Sequence, residues 1–446
     1  MTDQERYLEE LKEFLRIPSI STEPEHRQHM YEAASFAAKQ LEGAGLNGVR
    51  LIEGDGHPLV YGEWLGAPGK PTLLFYGHYD VQPPEPLEEW LSPPFEPRLA
   101  NGNIYARGAA DDKGLTLVLI KAVERLMGRD GRLPVNVRFL IEGEEETNGR
   151  HIGAYVRAHA ADLASDVAVI SDTEMFAPET PTLMTGLRGI VYGEIQVETA
   201  AHDLHSGTFG GVAPNALQAV CEIICGLKDR EGVIRIPGFY DSVARPSQAE
   251  KQAWAELPFD EEAFCRNEAK SSQLTGEKAF SALERMFCRP TFEVHGIRGG
   301  FVGEGAKTVI PARAVAKVSM RLVPDQRPAE VVAQVRAAVR KLTPPGATAD
   351  FVEIQSAAPS LVPVENQFMR AAAQAMEEVF GRPTVYIRCG GSIPIVGLFQ
   401  QCLGIPSVLM GFGLPDDNLH APNEKLNLSN FYRGIDSVTR FLEILA

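Results

Sequence analysis

The sequence predicts an α/β protein in which helices cover a mostly parallel sheet, with a smaller α+β domain inserted into it. Short apolar segments alternate with helical patterns in the first part of the chain and again near its end, which is typical of βαβ units. Between them the patterns run β-α-β-β-α-β, the order of a ferredoxin-like domain. We therefore predict one domain from residues 1–187 and 366–446 and an inserted domain from residues 188–365.

In the first part of the chain, the periodicity of apolar residues locates the elements in order. Helical spacing marks residues 3–16, 26–44, 114–127 and 151–164. Short apolar runs predict strands at residues 48–52, 58–64, 73–76, 135–141 and 166–171. Prolines exclude a helix interior or a central strand from Pro83 to Pro97, so an ordered loop is expected there.

The inserted domain and the return to the first domain follow from the same patterns. The expected elements of the insertion are strand 190–199, helix 214–228, strand 291–296, strand 313–323, helix 328–342 and strand 348–355, with an irregular region before residue 290. After them come helix 366–380, strand 384–388, a turn and helix through residues 390–394, strand 406–410 and helix 428–444. The chain thus leaves the first domain once and returns to it.

Composition limits the partners of the protein. The chain has 446 residues, of which 44% are apolar, and a formal charge of −16 without a run of lysine or arginine. This charge argues against nucleic acid and anionic membranes as partners. Six cysteines without a CxxC motif are expected to be reduced core residues. The start lacks a basic and apolar leader, and no apolar run approaches about 18 residues, which predicts a cytoplasmic protein.

Four predicted strands end in side chains of the kind that bind metal ions. The side chains that follow these strands, in chain order, are His78 and Asp80, Glu142 and Glu144–Glu146, Asp172, and His420. Asp111 and Asp112 precede a helical pattern between the first two of these strands. In an open α/β sheet, ligands bind in the crevice outside the carboxyl ends of the strands. We therefore expect these side chains to lie in one cleft.

Each of these residues also has an ordinary structural explanation. His78 could be a core histidine, Asp111 or Asp112 a helix N-cap, and Glu144–Glu146 a solvated loop. Together, however, carboxylates packed into one cleft are costly unless cations neutralise them. Histidine nitrogen and carboxylate oxygen without thiolate suit two zinc ions, with cobalt or manganese as substitutes. A structural calcium site would not explain the histidines, because calcium takes oxygen ligands.

The spacing of His78 and Asp80 predicts a supporting role for the carboxylate. Residues i and i+2 of an extended segment face the same side, so Asp80 can meet the imidazole of His78. Carboxylates in that position fix the orientation of metal-binding histidines.

The motifs at these positions resemble those of co-catalytic zinc exopeptidases and deacylases, a family that includes carnosinase-like dipeptidases, glutamate carboxypeptidases, aminoacylase and succinyl-diaminopimelate desuccinylase. The resemblance covers nearly the whole chain, in order. It rests on Gly77–Val81, Arg107–Gly114, Glu142–Glu146, Ile170–Asp172, Asp203–Gly207, Gly391–Pro394 and His420–Glu424. The Asp203–Gly207 motif, together with Lys307–Pro311, resembles the dipeptidase branch. The resemblance implies a zinc-exopeptidase-like catalytic domain and a lid domain through which a homodimer forms.

The resemblance also implies a ligand set for each of two zinc ions per chain. His78 and Asp172 would hold one ion, Glu146 and His420 would hold the other, and Asp111 would bridge them. It further implies a cis peptide bond immediately after the bridging residue.

The activity implied by the resemblance is hydrolysis of a peptide bond. The two ions would lower the pKa of a shared water, and Glu145 would take its proton as hydroxide attacks the scissile carbonyl, then pass that proton to the leaving amine. Glu145 and Glu146 align with the acidic pair of the family because Thr147 begins the small-residue loop that follows it. Glu144 as the general base is the alternative register.

The resemblance also implies which residues bind the substrate. The resemblance nominates His205 as donor to the developing oxyanion, reaching the site from the lid of a second subunit; by itself it could be a turn residue. Arg321 resembles the residue that grips the substrate carboxylate, which suits a planar guanidinium, and it could otherwise be a solvent-facing cation. Thr308, Gly391 and Ser392 fall where carnosinase-like enzymes contact substrate.

The prediction is a dinuclear zinc dipeptidase that acts on small peptides. The alternatives are an N-acyl amino acid deacylase or a glutamate-type carboxypeptidase with the same chemistry, or a non-catalytic relative that binds peptides through its lid. The last would be expected to lose a ligand or Glu145, and all are present. No histidine lies between His295 and His420, where carnosinases carry a further substrate-binding histidine, so a preference for β-alanyl-histidine is not implied.

Overall fold

The computed structural model describes residues 2–147, 149–391 and 393–446. The strands, in chain order, are β1 (Asn47–Ile52), β2 (Leu59–Trp64), β3 (Thr72–His78), β4 (Arg98–Ala100), β5 (Asn103–Tyr105), β6 (Asn136–Glu142), β7 (Val167–Ile170), β8 (Thr182–Leu187), β9 (Gly189–Glu198), β10 (Leu204–His205), β11 (Glu293–Gly299), β12 (Val309–Ile310), β13 (Arg313–Leu322), β14 (Thr348–Ala357), β15 (Ser360–Leu361), β16 (Val385–Cys389), β17 (Ser407–Leu409) and β18 (Lys425–Asn427).

The α-helices precede, follow or lie between groups of these strands along the chain. In order they are α1 (Asp3–Leu15), α2 (Arg27–Gly43), α3 (Lys113–Asp130), α4 (Arg150–Ala158), α5 (Ser206–Phe209), α6 (Ala216–Leu227), α7 (Gln248–Ala255), α8 (Glu261–Ala263), α9 (Ala282–Cys288), α10 (Pro328–Leu342), α11 (Gln367–Phe380), α12 (Pro394–Cys402) and α13 (Leu428–Ile444). Within the described ranges, no helix combines the length and the apolar character needed to cross a membrane.

The chain divides into two compact units. The first contains Met1–Thr185, Val362–Ile387 and Ile395–Ala446, and the second contains Gly186–Leu361 and Arg388–Pro394. The segment Arg388–Pro394 groups with the second unit, although the predicted boundary at residue 366 assigns it to the other domain. Its contacts explain the grouping, because Arg388 forms an ion pair with Glu250 and the carbonyl of Gly391 accepts the N–H of Arg188 at 3.0 Å.

The first unit is built on a sheet whose centre is parallel. Strands β6, β3, β7 and β17 lie side by side in that order and run parallel. Antiparallel strands flank them, with β2 and β1 beside β6 and with β8 beside β17. The predicted parallel sheet is thus confirmed at the centre, and its edges make the whole a mixed sheet. The central strands are almost entirely buried, as expected of apolar runs covered on both faces.

Helices pack against this sheet and share its buried core. The core draws on α1, α2, α3, α11 and α13 together with the central strands. Local sequence sets where these helices begin and end. Helix α1 starts at a capping box in which the side chain of Thr2 accepts the N–H of Glu5 and the side chain of Glu5 accepts the N–H of Thr2. Helix α3 ends at Gly131, whose φ of 66° lies in the left-handed region.

The second unit contains an antiparallel sheet with the predicted ferredoxin-like order. The strands lie in the order β14-β9-β13-β11, and the chain passes through them as β9-α6-β11-β13-α10-β14. Side chains of β9 alternate between buried and more exposed positions. One face of the sheet therefore packs on α6 and α10 in a separate buried core.

The structure contains elements that the hydrophobic patterns do not predict. Strand β8 is fully buried at the flank of the central sheet. Helices α7 and α9 lie in the region expected to be irregular, and each begins at a capping box, Ser247 with Glu250 and Ser281 with Glu284. The S-x-x-E pattern in the sequence is the signal that would have located both. Helix α4 ends at Ala158, which is earlier than predicted.

The cysteines are free thiols, but they are not all core residues. Cys221 and Cys225 are exposed. Helix α6 buries the opposite face, through Ala219, Val220 and Ile223. The predicted core position is confirmed for Cys288, whereas Cys265, Cys389 and Cys402 are half-buried. It is wrong for Cys221 and Cys225, because an apolar neighbourhood in sequence does not by itself place a residue on the buried face of a helix.

Candidate metal centre

Three neighbouring parallel strands carry the first part of the centre. Strand β3 ends at His78, β6 leads into the loop with Glu145–Glu146, and β7 is followed within two residues by Asp172. His78 and Glu142, the last residues of β3 and β6, are paired in the ladder between these strands. Both strands therefore end at the same position along the sheet. The carboxyl ends of these strands thus gather the predicted ligands at one edge.

The loop that carries Asp111 is fixed to the end of β3. Asp112 Oδ2 accepts the N–H of His78 at 3.1 Å and the hydroxyl of Thr116 at 2.7 Å. Gly77 permits this close approach, since a Cβ there would lie 2.0 Å from Thr116 Oγ1. The peptide bond between Asp111 and Asp112 is cis, as the family resemblance implies.

Asp111 lies between two groups of ligand atoms. In the first trio, its Oδ1 is 3.2 Å from His78 Nε2, which is 3.9 Å from Asp172 Oδ2. In the second trio, its Oδ2 is 2.8 Å from His420 Nε2, which is 3.3 Å from Glu146 Oε2. The ligand atoms within each trio all lie within 4.8 Å of one another. The two oxygens of Asp111 thus face different trios, which is the arrangement of a carboxylate that bridges two cations.

His78 is oriented by Asp80. Its Nδ1 lies 3.3 Å from Asp80 Oδ1 and 3.1 Å from the carbonyl oxygen of the same residue. Both side chains are fully buried. Because Nδ1 donates toward Asp80, Nε2 is left to face Asp111 and Asp172, which is the tautomer that a metal-binding histidine needs.

The three consecutive glutamates have different partners. Glu146 Oε2 belongs to the second trio and accepts the amide of Gln82 at 2.7 Å. Glu144 Oε2 accepts the N–H of His151 at 3.0 Å, at the start of α4. Glu145 is the glutamate whose carboxyl interacts electrostatically with both trios. Glu144 is therefore engaged by a helix, which supports the predicted register.

Carboxylates raise the pKa values of the two histidines of the centre. Burial would lower the pKa of His78, but Asp111 and Asp80 raise it well above its ordinary value. Hydrogen bonds to Asp111 and Glu146 raise the pKa of His420 to about 10. The negative charge of the centre thus favours the protonated form of both imidazoles when no ion is bound.

Two carboxylates are pushed in the direction of their neutral forms. Burial raises the pKa of Asp172 well above its ordinary value, and the charges of Asp111 and Asp112 add to this. Burial also raises the pKa of Glu145 to about 7, with Glu146 and Asp111 contributing against the opposing charge of a histidine. A carboxylate with a pKa near neutrality is suited to accept a proton and return it.

The donor set fits a pair of divalent cations. Two trios of nitrogen and oxygen ligands share one carboxylate, and buried negative charge calls for cations. Among the described residues, His78 Nε2 and Glu146 Oε1 are buried without a hydrogen-bond partner. Buried polar atoms rarely lack a partner, and a bound ion would supply one. Histidine and carboxylate without thiolate are the ligands of catalytic zinc sites.

Glu424, the last residue of the His420–Glu424 motif, organises the loop that carries Asp111, a role that the motif does not reveal. Its fully buried carboxylate accepts the N–H groups of Gly108, Ala110 and Asp111 at 2.9, 3.0 and 3.1 Å. Arg107 Nη1 donates to the same carboxylate at 2.7 Å. This carboxylate therefore fixes the backbone from which the bridging side chain projects.

The loop that carries His420 is held beside the Asp111 loop. Strand β18, which follows the first loop, pairs antiparallel with β5, which precedes the second. The side chain of Asn423 donates to the carbonyl of Glu89 and accepts the N–H of Leu91, each at 2.8 Å. These contacts stabilise a loop in which His420 itself has a φ of 59°, a conformation uncommon outside glycine.

Gln82 is a second residue that the sequence analysis misses. Its side-chain amide donates to Glu146 Oε2 at 2.7 Å. The spacing that relates His78 to Asp80 extends to Gln82, so the sequence contains a signal for it. For Glu424 no spacing to a neighbouring ligand predicts its contacts, because the main-chain N–H groups that it accepts belong to a loop far away in sequence.

The remaining predicted residues belong to the second unit. Strands β10 and β12 pair so that His205 faces Val309, and the carbonyl of Thr308 accepts the N–H of Ser206 at 3.2 Å. His205 Nδ1 accepts the N–H of Gly207 at 3.0 Å. In the neutral side chain the proton is therefore on Nε2, which makes that nitrogen the donor.

Arg321 and Gly391 lie near one sulfur atom in the second unit. Arg321, in β13, is half-buried, and burial lowers the pKa of its guanidinium against the opposing influence of the Cys389 thiol. The N–H of Gly391 donates to Cys389 Sγ at 3.2 Å. Ser392, which the sequence analysis also assigns to substrate contact, lies outside the described residues.

Known proteins resemble this chain over nearly its whole length. Peptidase family M20/M25/M40 matches residues 74–444. The Beta-Ala-His dipeptidase of Homo sapiens is 31% identical over 448 residues, which cover 97% of this chain and 88% of the relative. The Cys-Gly metallodipeptidase of Candida albicans is 33% identical over 467 residues, which cover 98% of this chain and 94% of the relative.

Two solved structures are also similar to the chain over nearly its whole length. The di-peptidase Dug1p from Saccharomyces cerevisiae superimposes with a TM-score of 0.84 at 30% identity, covering 99% of this chain and 96% of that one. The M20 family metallo-carboxypeptidase Sso-CP2 from Sulfolobus solfataricus superimposes with a TM-score of 0.88 at 31% identity, covering 100% of this chain and 99% of that one. With the family match and relatives of this identity spanning almost every residue, the chain belongs to peptidase family M20/M25/M40.

Proposed function

We propose that the protein is a dinuclear zinc dipeptidase in which His78 and Asp172 hold one ion, Glu146 and His420 hold the other, and Asp111 bridges them. The observation that carries this proposal is the position of Asp111, whose two oxygens face different trios. The family makes the chain a metal-dependent peptide-bond hydrolase, and its dipeptidase relatives indicate small peptides as substrates. Zinc is proposed from the ligand chemistry, with cobalt or manganese as substitutes.

The side chains around the trios divide the work of hydrolysis. Two divalent ions bound there would act as Lewis acids and lower the pKa of a water molecule. Glu145 is the residue that would accept a proton from the attacking water and return it to the leaving amine. Asp80 keeps His78 in the required tautomer and accepts the N–H groups of Glu145 and Glu146 at 3.3 and 3.1 Å.

We assign substrate recognition to the second unit. His205 donates from Nε2 to the developing oxyanion, and Arg321 binds the free carboxylate of the peptide. Thr308, Gly391 and Ser392 contact the substrate, the last on the family resemblance alone. None of the proposed metal ligands belongs to this unit. This separation supports its proposed role as a lid and dimer interface, with His205 serving the metal centre of the partner subunit.

A carboxypeptidase is the second candidate function. Similarity to the Sulfolobus carboxypeptidase favours it, because that enzyme is as similar to this chain as the dipeptidases are. A deacylase of N-acyl amino acids uses the same chemistry and is the remaining alternative. A cytoplasmic location, and the lack of nucleic-acid or membrane partners, remain predictions from composition.

An assay of the zinc-loaded protein against three substrate classes tests the proposal. The panel contains dipeptides, longer peptides with a free carboxylate, and N-acyl amino acids, with chelator-treated protein as the control. The proposal predicts the highest kcat/KM for dipeptides. Higher values for longer peptides would establish the carboxypeptidase instead, and activity restricted to N-acyl amino acids would establish the deacylase.

A further inference from the structure

The segment Ser19–Ser21 lies beside the residues that follow β3. Ile20 pairs in parallel with Val81, whose N–H donates to the carbonyl of Ser19 at 3.0 Å. The hydroxyl of Ser19 donates to the carbonyl of Tyr79 at 2.6 Å. A piece of the N-terminal chain is thus fastened to the edge of the sheet from which the proposed ligands project.

Asp80 gathers donors from several directions, and the shortest of these contacts is with Ser21. The hydroxyl of Ser21 donates to Asp80 Oδ2 at 2.7 Å. The N–H groups of Glu146 and Glu145 donate at 3.1 and 3.3 Å, and His78 Nδ1 lies 3.3 Å away. Because Asp80 is fully buried, these donors fix the rotation of its carboxylate.

A second chain of hydrogen bonds runs from Ser21 to the same acidic loop. The carbonyl of Ser21 accepts from His57 Nε2 at 3.2 Å, and the carbonyl of His57 accepts from His151 Nδ1 at 2.8 Å. The N–H of His151 donates to Glu144 Oε2 at 3.0 Å. Ser21 is therefore connected to the loop twice, through the buried carboxylate to Glu145 and through this chain to the residue before it.

We propose that Ser21 is a positioning residue for peptide hydrolysis, whose hydroxyl fixes Asp80 and thereby the main chain of Glu145. This inference rests on the proposed roles of Asp80 and Glu145. Asp80 faces Nδ1 of His78, the ring nitrogen turned away from the trios, so Ser21 acts through other residues. A displaced base lowers the rate of the chemical step while substrate binding stays intact.

A purely structural role is the competing explanation, because Ser21 also helps to fasten the N-terminal segment. Ser19 provides a matched control in the same segment, since its hydroxyl donates to the main chain of Tyr79 at 2.6 Å. Ser19→Ala and Ser21→Ala each remove one hydroxyl and the hydrogen bond it donates. The second substitution removes a donor from Asp80, and the first does not.

The experiment compares kcat, KM, zinc content and thermal stability for Ser21→Ala, Ser21→Thr and Ser19→Ala. Ser21 is half-buried, so the alanine variant is expected to fold. We expect Ser21→Ala to lower kcat about 10- to 100-fold, the range for loss of one hydrogen bond to a charged group, with KM nearly unchanged and both ions retained. Ser21→Thr keeps the hydroxyl and should restore most of kcat. Ser19→Ala should lose stability to a similar extent while keeping its kcat.

Three results would overturn the inference. They are a wild-type kcat in Ser21→Ala, equal losses of kcat in the two alanine variants, or recovery of Ser21→Ala in excess zinc, which would mean that the hydroxyl serves ion retention. The wild-type assay separates this inference from the proposed function. If the wild-type protein hydrolyses no dipeptide, the function fails; if it does and Ser21→Ala matches it, the positioning role alone fails.

Discussion

The carboxylate of Glu424 accepts the main-chain N–H of Asp111 at 3.1 Å, across 313 residues of sequence. The bridging side chain of the centre is therefore placed by a residue that is not itself a ligand. Glu424 also forms a buried ion pair with Arg107 at 2.7 Å, which offsets part of the cost of burial; burial still raises the pKa of Glu424 to about 7. Ligand geometry and stability of the first unit thus depend on the same carboxylate.

We predict that Glu424→Gln destabilises the first unit by about 3–5 kcal/mol, the cost of removing one partner of a buried ion pair. The amide would also turn N–H donors toward main-chain N–H groups that now have an acceptor. Denaturant unfolding followed by tryptophan fluorescence measures this loss. Glu378→Gln, which breaks an exposed pair with Arg440, is the matched control and should leave the unfolding curve unchanged. Equal curves for the two variants would contradict the role given to Glu424.

Zinc binding should release protons at pH 7. The pKa of His420 is raised to about 10 in the ion-free protein, so the imidazole must lose a proton before its Nε2 can bind an ion. The affinity for zinc should therefore rise by about tenfold per pH unit for each proton displaced, and fall as the pH is lowered. Calorimetry in buffers of different ionisation enthalpy counts the protons. Binding without proton release at pH 7 would show that the carboxylates do not hold His420 protonated.

The acidic loop provides a test of the general base. Glu145→Gln should keep both ions while kcat falls by roughly 10² to 10⁴, the contribution of general acid-base catalysis. Glu144→Gln is the control from the adjacent position, where the side chain accepts the N–H of His151. It should retain most of its activity. If Glu144→Gln is inactive, or if Glu145→Gln loses an ion, the general base is Glu144 and Glu145 is a metal ligand.

Subunit mixing tests whether His205 serves a partner subunit. His205→Ala should bind both ions and lose about 10² to 10³ in kcat if it removes an oxyanion donor. A dimer of one His205→Ala and one Glu145→Gln subunit has one site with both defects and one intact site, because two-fold symmetry makes the exchange reciprocal. Each mixed dimer should therefore regain about half of the activity of a wild-type dimer. If subunit exchange is verified and no activity returns, His205 acts at the metal centre of its own subunit.

The elements that deliver the ligands are predictable from sequence because a strand end has a local signature. An apolar run that stops at His78 or before Asp172 indicates both a buried strand and its exit from the sheet. The order of elements β-α-β-β-α-β likewise predicts the topology of the sheet in the second unit. Resemblance to known motifs then adds the pairing of ligands into two trios, which spacing alone leaves open.

What could not be predicted depends on contacts between distant segments. Glu424 accepts main-chain N–H groups, and Ser21 donates to a buried carboxylate, that lie far from them in sequence. The neighbours of these residues therefore do not reveal the contacts, although Glu424 belongs to a recognisable motif. The burial of β8 depends on its place beside β17 more than on its composition. Cys221 is exposed although its helix is apolar, because the sequence does not show which side of the helix packs on the sheet.

The central claim is that Asp111 bridges two ions that are both required for hydrolysis. Titrating ion-free protein with zinc, while measuring bound zinc by elemental analysis and dipeptide hydrolysis in the same samples, tests it most directly. We expect two ions per chain at saturation and full activity only as the second ion binds, with activity lost again on chelation. Full activity with a single bound ion at saturation would contradict it.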